Sequence, residues 1–88
     1  MPLSHQCHAV YELGADTLLV FKPFAHCEGV HAHPYRQRLR VLNGRLQVEI
    51  GRTKLMLDAD SDPLELDAGQ PHSTEALEDT WLVAERTR

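Results

Sequence analysis

The feature that most constrains this sequence is residues 31–41, where two histidines one residue apart begin a run of strict alternation. Side chains of a β-strand point to opposite faces in turn, so His31 and His33 share one face. The other odd positions continue that face with Tyr35, Gln37, Leu39 and Val41. The even positions on the opposite face carry Arg36, Arg38 and Arg40. The pattern predicts one strand whose inner face changes from potential ligands to core residues and whose outer face is solvated.

Asn43-Gly44 follows this strand and is typical of a type I′ hairpin, in which both central residues have positive φ. The chain then returns through residues 45–50 with apolar side chains at the even positions. We therefore predict a hairpin at Asn43-Gly44. Because Gln37 lies on the same face as the two histidines, its amide oxygen is a candidate fourth ligand.

A third histidine, His72, follows a turn at residues 69–71 and begins another strand-like run. A β-barrel or sandwich can bring it opposite His31 and His33, and three converging imidazoles suit a divalent transition metal. We predict that the three histidines form such a site, against the alternative that they are ordinary strand residues. Gln37 either completes the site or hydrogen-bonds a metal-bound water or a histidine's second nitrogen.

Short strand-like segments separated by turn residues account for most of the remaining chain. They are residues 10–13, 17–22, 53–57, 64–66 and 80–85. No segment shows a helical apolar period over about eleven residues. The 88 residues are enough for one domain, and a hydrophobic content of 42% is enough for one core. The sequence therefore predicts a single all-β domain.

Charge and hydropathy limit the partners of this domain. A formal charge of −4 and a pI near 5.8 argue against nucleic-acid binding, which depends on clustered cations that neutralise phosphates. No apolar run approaches the about 18 residues of a membrane span, so no membrane partner is predicted. Thr17–Lys22 is apolar along most of its length, as in a strand covered on both faces. Since a monomeric barrel covers only one face, this run predicts a homodimer.

Two cysteines and the remaining histidines lie near the N-terminus or before the ligand strand. Residues 1–8 are predicted to be a flexible arm, in which Cys7 or His8 would line the barrel mouth if the arm reaches it. His26 and Cys27 are either a surface histidine and a half-buried thiol, or groups that support the metal site or substitute for one of its ligands. Two cysteines are too few for a disulfide framework, and no export signal is evident, so we expect reduced thiols and a cytoplasmic protein.

Two spacing patterns in the chain resemble the two conserved motifs of the cupin superfamily. The first covers residues 25–44, and its motif positions are Ala25, His31, His33, Gln37 and Gly44. The second covers residues 61–76, and its motif positions are Ser61, Asp67, Gly69 and His72. The resemblance implies that residues 1–88 are one small cupin domain with a jelly-roll β-barrel. It also implies a divalent metal, with iron, manganese, nickel and zinc left open.

The chain departs from these motifs at four positions. Ala25 and Ser61 replace glycines, and Asp67 replaces a proline. Gln37 stands where the family usually has a glutamate ligand. The first three departures concern turns, whereas the last removes a negative charge from the metal and favours an anionic small-molecule ligand.

Two functions are compatible with this site. The first is a ligand-binding or accessory module with a metal held by three histidines. The second is a metal-dependent oxygenase or isomerase that acts on a small polar or anionic metabolite. Glu28 is the carboxylate closest in sequence to the histidine pair and is the candidate general base. Because no other proton-transfer group is evident and the chain is small, we favour the binding module.

Overall fold

The computed structural model describes residues 7–87, which form nine β-strands and no helix. The strands are β1 (Ala9–Gly14), β2 (Thr17–Lys22), β3 (Cys27–His31), β4 (Arg36–Asn43), β5 (Leu46–Ile50), β6 (Thr53–Leu57), β7 (Leu64–Leu66), β8 (His72–Ala76) and β9 (Thr80–Thr87). The prediction of an all-β chain is confirmed. Within these residues no helix could span a membrane. Six residues of the predicted N-terminal arm, 1–6, lie outside the described part.

The strands form two antiparallel sheets that face each other. One sheet has the order β1-β2-β9-β4-β7 and the other the order β3-β8-β5-β6. From β3 to β5, and again from β6 to β9, consecutive strands belong to opposite sheets, so the chain repeatedly crosses between the two layers. This connectivity is that of a jelly roll, and it confirms the predicted barrel architecture.

The core lies between the two sheets and consists of aliphatic side chains. Leu46 and Val48 of β5 are fully buried, and Leu39 and Val41 approach them from β4. The remaining members of the buried cluster come mainly from β2, β7 and β9: Val20, Leu57, Leu66, Leu82 and Ala84. Every second residue of a strand contributes, so the alternation read from the sequence places the correct face inward.

The turn at Asn43-Gly44 is not a hairpin, and that prediction is wrong. β4 pairs with β7 and β9, whereas β5 pairs with β6 and β8. Gly44 has φ +97° and Asn43 does not have a positive φ, so the turn is not type I′. An added Cβ at Gly44 would lie 2.6 Å from Thr80 Oγ1 and 2.8 Å from Thr80 Cα. Gly44 is therefore needed for a tight passage from one sheet to the other.

The single strand predicted from His31 to Val41 is two strands in different sheets. β3 ends at His31 and β4 begins at Arg36, and Pro34 lies in the crossing segment between them. Proline has no amide hydrogen for a strand ladder, which fits its place outside both sheets. The inner face nevertheless continues across the gap, because Gln37 is half-buried and Leu39 is buried.

The arginines of β4 form a solvated face, as predicted. Arg36, Arg38 and Arg40 are exposed. Arg36 and Arg38 lie 3.6 Å from the Glu65 carboxylate of the neighbouring β7, and Arg36 is also 3.7 Å from Asp67. Exposed ion pairs of this kind contribute at most about 1 kcal/mol. The arginines of β4 therefore form an exposed surface of the sheet, and the neighbouring carboxylates partly neutralise its positive charge.

Candidate metal centre

The structure brings His31, His33 and His72 together at one end of the barrel. His31 ends β3 and pairs directly with His72, the first residue of β8. His33 lies two residues further on, in the crossing segment. Each ring offers one nitrogen, and these three atoms lie within 4.8 Å of one another. The ring centroids are 4.4 Å apart for His31 and His72 and 4.9 Å apart for His31 and His33.

A β-bulge in β3 determines which of its side chains face this centre. Glu28 pairs with Thr74, but His31 pairs with His72, so β3 has one more residue than β8 in this interval. Without the extra residue, positions 28 and 31 would point to opposite faces of the strand. With it, both Glu28 and His31 line the same cavity.

Backbone carbonyls fix the orientation of two of the imidazoles. His31 Nδ1 lies 2.7 Å from the Gly29 carbonyl oxygen, and His72 Nδ1 lies 2.9 Å from that of Gln70. A carbonyl only accepts, so each Nδ1 carries the proton and donates it. In the neutral rings this leaves the Nε2 lone pairs of both histidines for a metal, as is common for ligating histidines.

His33 is held by an aromatic neighbour and by the backbone. Its ring stacks on Tyr35 with centroids 5.0 Å apart, and its Nδ1 lies 3.3 Å from the tyrosine hydroxyl. Its carbonyl accepts a 2.7 Å hydrogen bond from the Gly69 amide. Burial lowers the pKa of His33 below 6.5, and the charges of His31 and His72 lower it further. The neutral form of His33, which a metal requires, therefore extends to lower pH than that of an ordinary histidine.

The cavity beside the three histidines is small, about 180 Å³. Its inner wall is aliphatic and includes Val20, Leu39, Leu46 and Leu82. Gln37 of β4 lines the same cavity, on the inner face that also carries Leu39. The position is therefore compatible with the predicted fourth ligand, and the donor set of three neutral imidazoles and one amide fits a divalent transition metal.

Glu28, the candidate base, is half-buried and forms an ion pair with Lys22, whose side chain is 6% exposed. Burial by itself raises the pKa of the Glu28 carboxyl. The hydrogen bond and positive charge of Lys22 outweigh that effect, so the pKa lies below its ordinary value. Glu28 is therefore ionised at neutral pH and is a weak proton acceptor there.

Lys22 is the site residue that sequence reasoning missed. It follows Leu18 and Val20 at the same strand parity, and this spacing was a sign that its side chain points into the barrel. His8 also lines the cavity, and its ring stacks on that of His26 with centroids 4.3 Å apart. Cys7 and Cys27 are exposed free thiols, and neither lines this cavity.

The two facing sheets, between which the chain crosses repeatedly, form a cupin fold, and solved structures of cupin proteins are similar to it. A conserved protein of unknown function from Streptococcus pyogenes has a TM-score of 0.77 at 17% identity, over 93% of this chain and 73% of its own. A cupin superfamily protein from Desulfitobacterium hafniense has a TM-score of 0.76 at 12% identity, over 100% of this chain and 84% of its own.

The cupin-2 domain of an XRE family transcriptional regulator from Enterobacter cloacae is similar over almost its whole length. Its TM-score is 0.77 at 14% identity, over 94% of this chain and 98% of that one. No family model and no curated protein matches the sequence. At these identities the likeness is one of fold, and the chain is a small domain with the cupin fold.

Proposed function

We propose that this chain is a small metal-binding module in which His31, His33 and His72 hold one divalent transition metal: iron, manganese, nickel or zinc. The observation that carries the proposal is the convergence of three ring nitrogens within 4.8 Å. It is supported by the carbonyl partners of His31 and His72, which leave both Nε2 atoms free to coordinate. We further propose Gln37 as the fourth protein ligand.

The ligand that fits this centre is a small anion. Three imidazoles and an amide bring no negative charge, so two positive charges on the metal would stay uncompensated by its protein ligands. The nearby Lys22 and Glu28 neutralise each other and do not alter that balance. A cavity of about 180 Å³ is below the about 300 Å³ at which drug-sized pockets begin, so the ligand is a compact molecule such as a short carboxylate.

Binding without catalysis is the function that the site supports better. Efficient general bases have pKa values near the working pH, whereas the pKa of Glu28 is lowered and Lys22 hydrogen-bonds one of its carboxylate oxygens. The alternative is a metal-dependent oxygenase or isomerase of a small polar or anionic metabolite. Oxygen uptake by the iron-loaded protein with a panel of short carboxylates and hydroxy acids detects an oxygenase, and NMR of the same mixtures detects an isomerase by its product. The binding module gives neither signal.

We also propose that the protein is a homodimer that pairs through the outer face of the five-stranded sheet. Leu19, Leu42 and Trp81 line a shallow apolar depression there, and Leu42 is 46% exposed. Leu42→Glu is expected to shift the protein to monomers in sedimentation velocity. Met56→Glu is the control, because Met56 is equally exposed, at 45%, but lies on the other sheet. An unchanged sedimentation coefficient for Leu42→Glu would reject this interface.

The metal proposal is tested by zinc titration of metal-free, untagged protein. His72→Ala is expected to remove one equivalent of bound zinc, whereas Ser73→Ala, one position along β8, keeps it. At a free zinc concentration of about 100 Kd, binding adds about 2.7 kcal/mol to the free energy of unfolding. For a domain of this size that raises Tm by about 11–22 °C. Full zinc occupancy in His72→Ala would exclude this residue from the site.

A further inference from the structure

A second group of ligand side chains lies beside the first. His8, His26 and Glu28 each offer one ligand atom, and these atoms lie within 4.8 Å of one another. The three residues come from separate elements: His8 precedes β1, His26 is in the loop before β3, and Glu28 is in β3. His8 and Glu28 also line the cavity of the three-histidine centre. The fold therefore brings His8 beside His26 and Glu28, which are only two residues apart in sequence.

The loop that carries His26 is held in place by three backbone hydrogen bonds. The Ala25 amide donates to the Ala76 carbonyl at 2.8 Å, and the Ala76 amide donates to the His26 carbonyl at 2.9 Å. The His26 amide donates to the Pro23 carbonyl at 2.9 Å. The His26 ring thus projects from a fixed backbone, which limits the entropy lost when it binds a ligand.

His26 has an unsatisfied nitrogen. Its Nε2 is shielded from solvent and has no hydrogen-bond partner within residues 7–87. A buried polar atom without a partner destabilises the folded chain, and such atoms are rare in folded proteins. A cation bound through Nε2 would give that nitrogen a partner.

Glu28 retains a free oxygen although it is paired with Lys22. The ammonium group of Lys22 hydrogen-bonds Oε1, and Oε2 makes no hydrogen bond within the described chain. A carboxylate has lone pairs on both oxygens and can accept from a lysine on one and bind a cation through the other. The third donor, His8, is already positioned by its stacking on His26.

We infer that His8, His26 and Glu28 form a second site for a divalent transition metal, of the two-histidine, one-carboxylate type. This donor set suits Fe²⁺, Co²⁺, Ni²⁺ and Zn²⁺ and leaves coordination positions open towards the cavity. It carries one negative charge, whereas the three-histidine centre carries none. The inference uses no ligand of that centre, so either site can fail without the other.

Zinc and cobalt titrations of untagged, metal-free protein test the site, with stoichiometry from calorimetry and geometry from Co²⁺ absorption. Wild-type protein is expected to bind two equivalents. His26→Ala and His72→Ala are each expected to bind one, and the double variant none. One equivalent in wild type that only His72→Ala removes would overturn the second site and leave the first intact. One equivalent in wild type that only His26→Ala removes would overturn the three-histidine site and leave the second site intact.

Two further variants test the details of the site. Lys22→Met removes a cation that competes for Glu28 and is expected to tighten the second equivalent at least tenfold, while Glu28→Gln weakens it at least tenfold. His5→Ala removes an imidazole from the same end of the chain and is the matched control for His8→Ala. Equal losses in these two variants would indicate binding by the terminal segment and would overturn the three-residue site. Circular dichroism confirms that each variant is folded.

Discussion

Gln37→Glu tests the charge argument at the three-histidine centre most directly. Position 37 lies on the inner face of β4 and lines the cavity, so the substitution adds one negative charge without a change in side-chain length. Two unit charges about 4 Å apart attract by about 1 kcal/mol even in bulk water, and a divalent metal doubles this. A gain of about 2 kcal/mol corresponds to about 30-fold tighter binding.

The assay is competition for zinc between the protein and a chromophoric chelator at pH 7.5. The quantity compared is the affinity for the equivalent of zinc that His72→Ala removes. Gln47→Glu is the charge-matched control. Gln47 lies in β5 between the buried Leu46 and Val48 and therefore points away from the core. A change of less than threefold for Gln37→Glu, or the same change in the control, would refute the idea that residue 37 contacts the metal.

The same substitution is expected to weaken anion binding to the zinc-loaded protein. A metal whose charge is partly compensated by a carboxylate attracts a second carboxylate less strongly. Formate is a suitable probe because it is small enough for the cavity. We expect its affinity to fall at least tenfold in Gln37→Glu and to stay unchanged in Gln47→Glu. Equal formate affinity in the two variants would show that the metal's charge does not select the ligand.

Two other predictions concern stability. Burial, followed by neighbouring cations, lowers the pKa values of His26 and His33 below 6.5, so the unfolded chain takes up protons at higher pH than the folded one. The free energy of unfolding of the metal-free protein, measured in urea, should therefore fall as pH falls below about 6.5. The variant His33→Gln should lose less stability over the same pH range. Identical pH profiles for the variant and the wild type would contradict this prediction. Gly44→Ala should lower the free energy of unfolding by more than the about 1–2 kcal/mol of a left-handed alanine, because its Cβ would meet Thr80. Gly51→Ala, also at positive φ but in open space, is the control and should lower it by only that amount. Equal losses in the two variants would show that the contact with Thr80 is harmless.

Alternation in the sequence was sufficient to predict the inward faces of this fold, whereas its barrel architecture was predicted from the resemblance to the cupin motifs. Alternation identified Leu39 and Val41 as core positions, and both are buried. The spacing of His31, His33 and His72 predicted residues that the structure brings together. The inward faces depend on side-chain period, which each strand carries in its own residues, whereas the approach of His72 to the other two histidines depends on the fold that the cupin motifs implied.

Strand pairing was harder to predict because it depends on partners far away in sequence. The left-handed glycine at position 44 is compatible with a hairpin, but β4 pairs with β9 and the chain crosses to the other sheet. The bulge in β3 is likewise invisible to simple parity, because without it positions 28 and 31 would lie on opposite faces. The sequence named His8 as a residue that would line the barrel mouth if the arm reached it, and the fold places it in the cavity lining, stacked on His26.

The direct pairing of His31 with His72 has a consequence for how the molecule assembles. If β3 and β8 were offset by one position, one of these rings would turn outwards, and an ion that needs both could no longer be held. A bound ion would then accumulate only on correctly aligned molecules and deplete the others by mass action. In this way metal binding would select the correct register of β3 and β8.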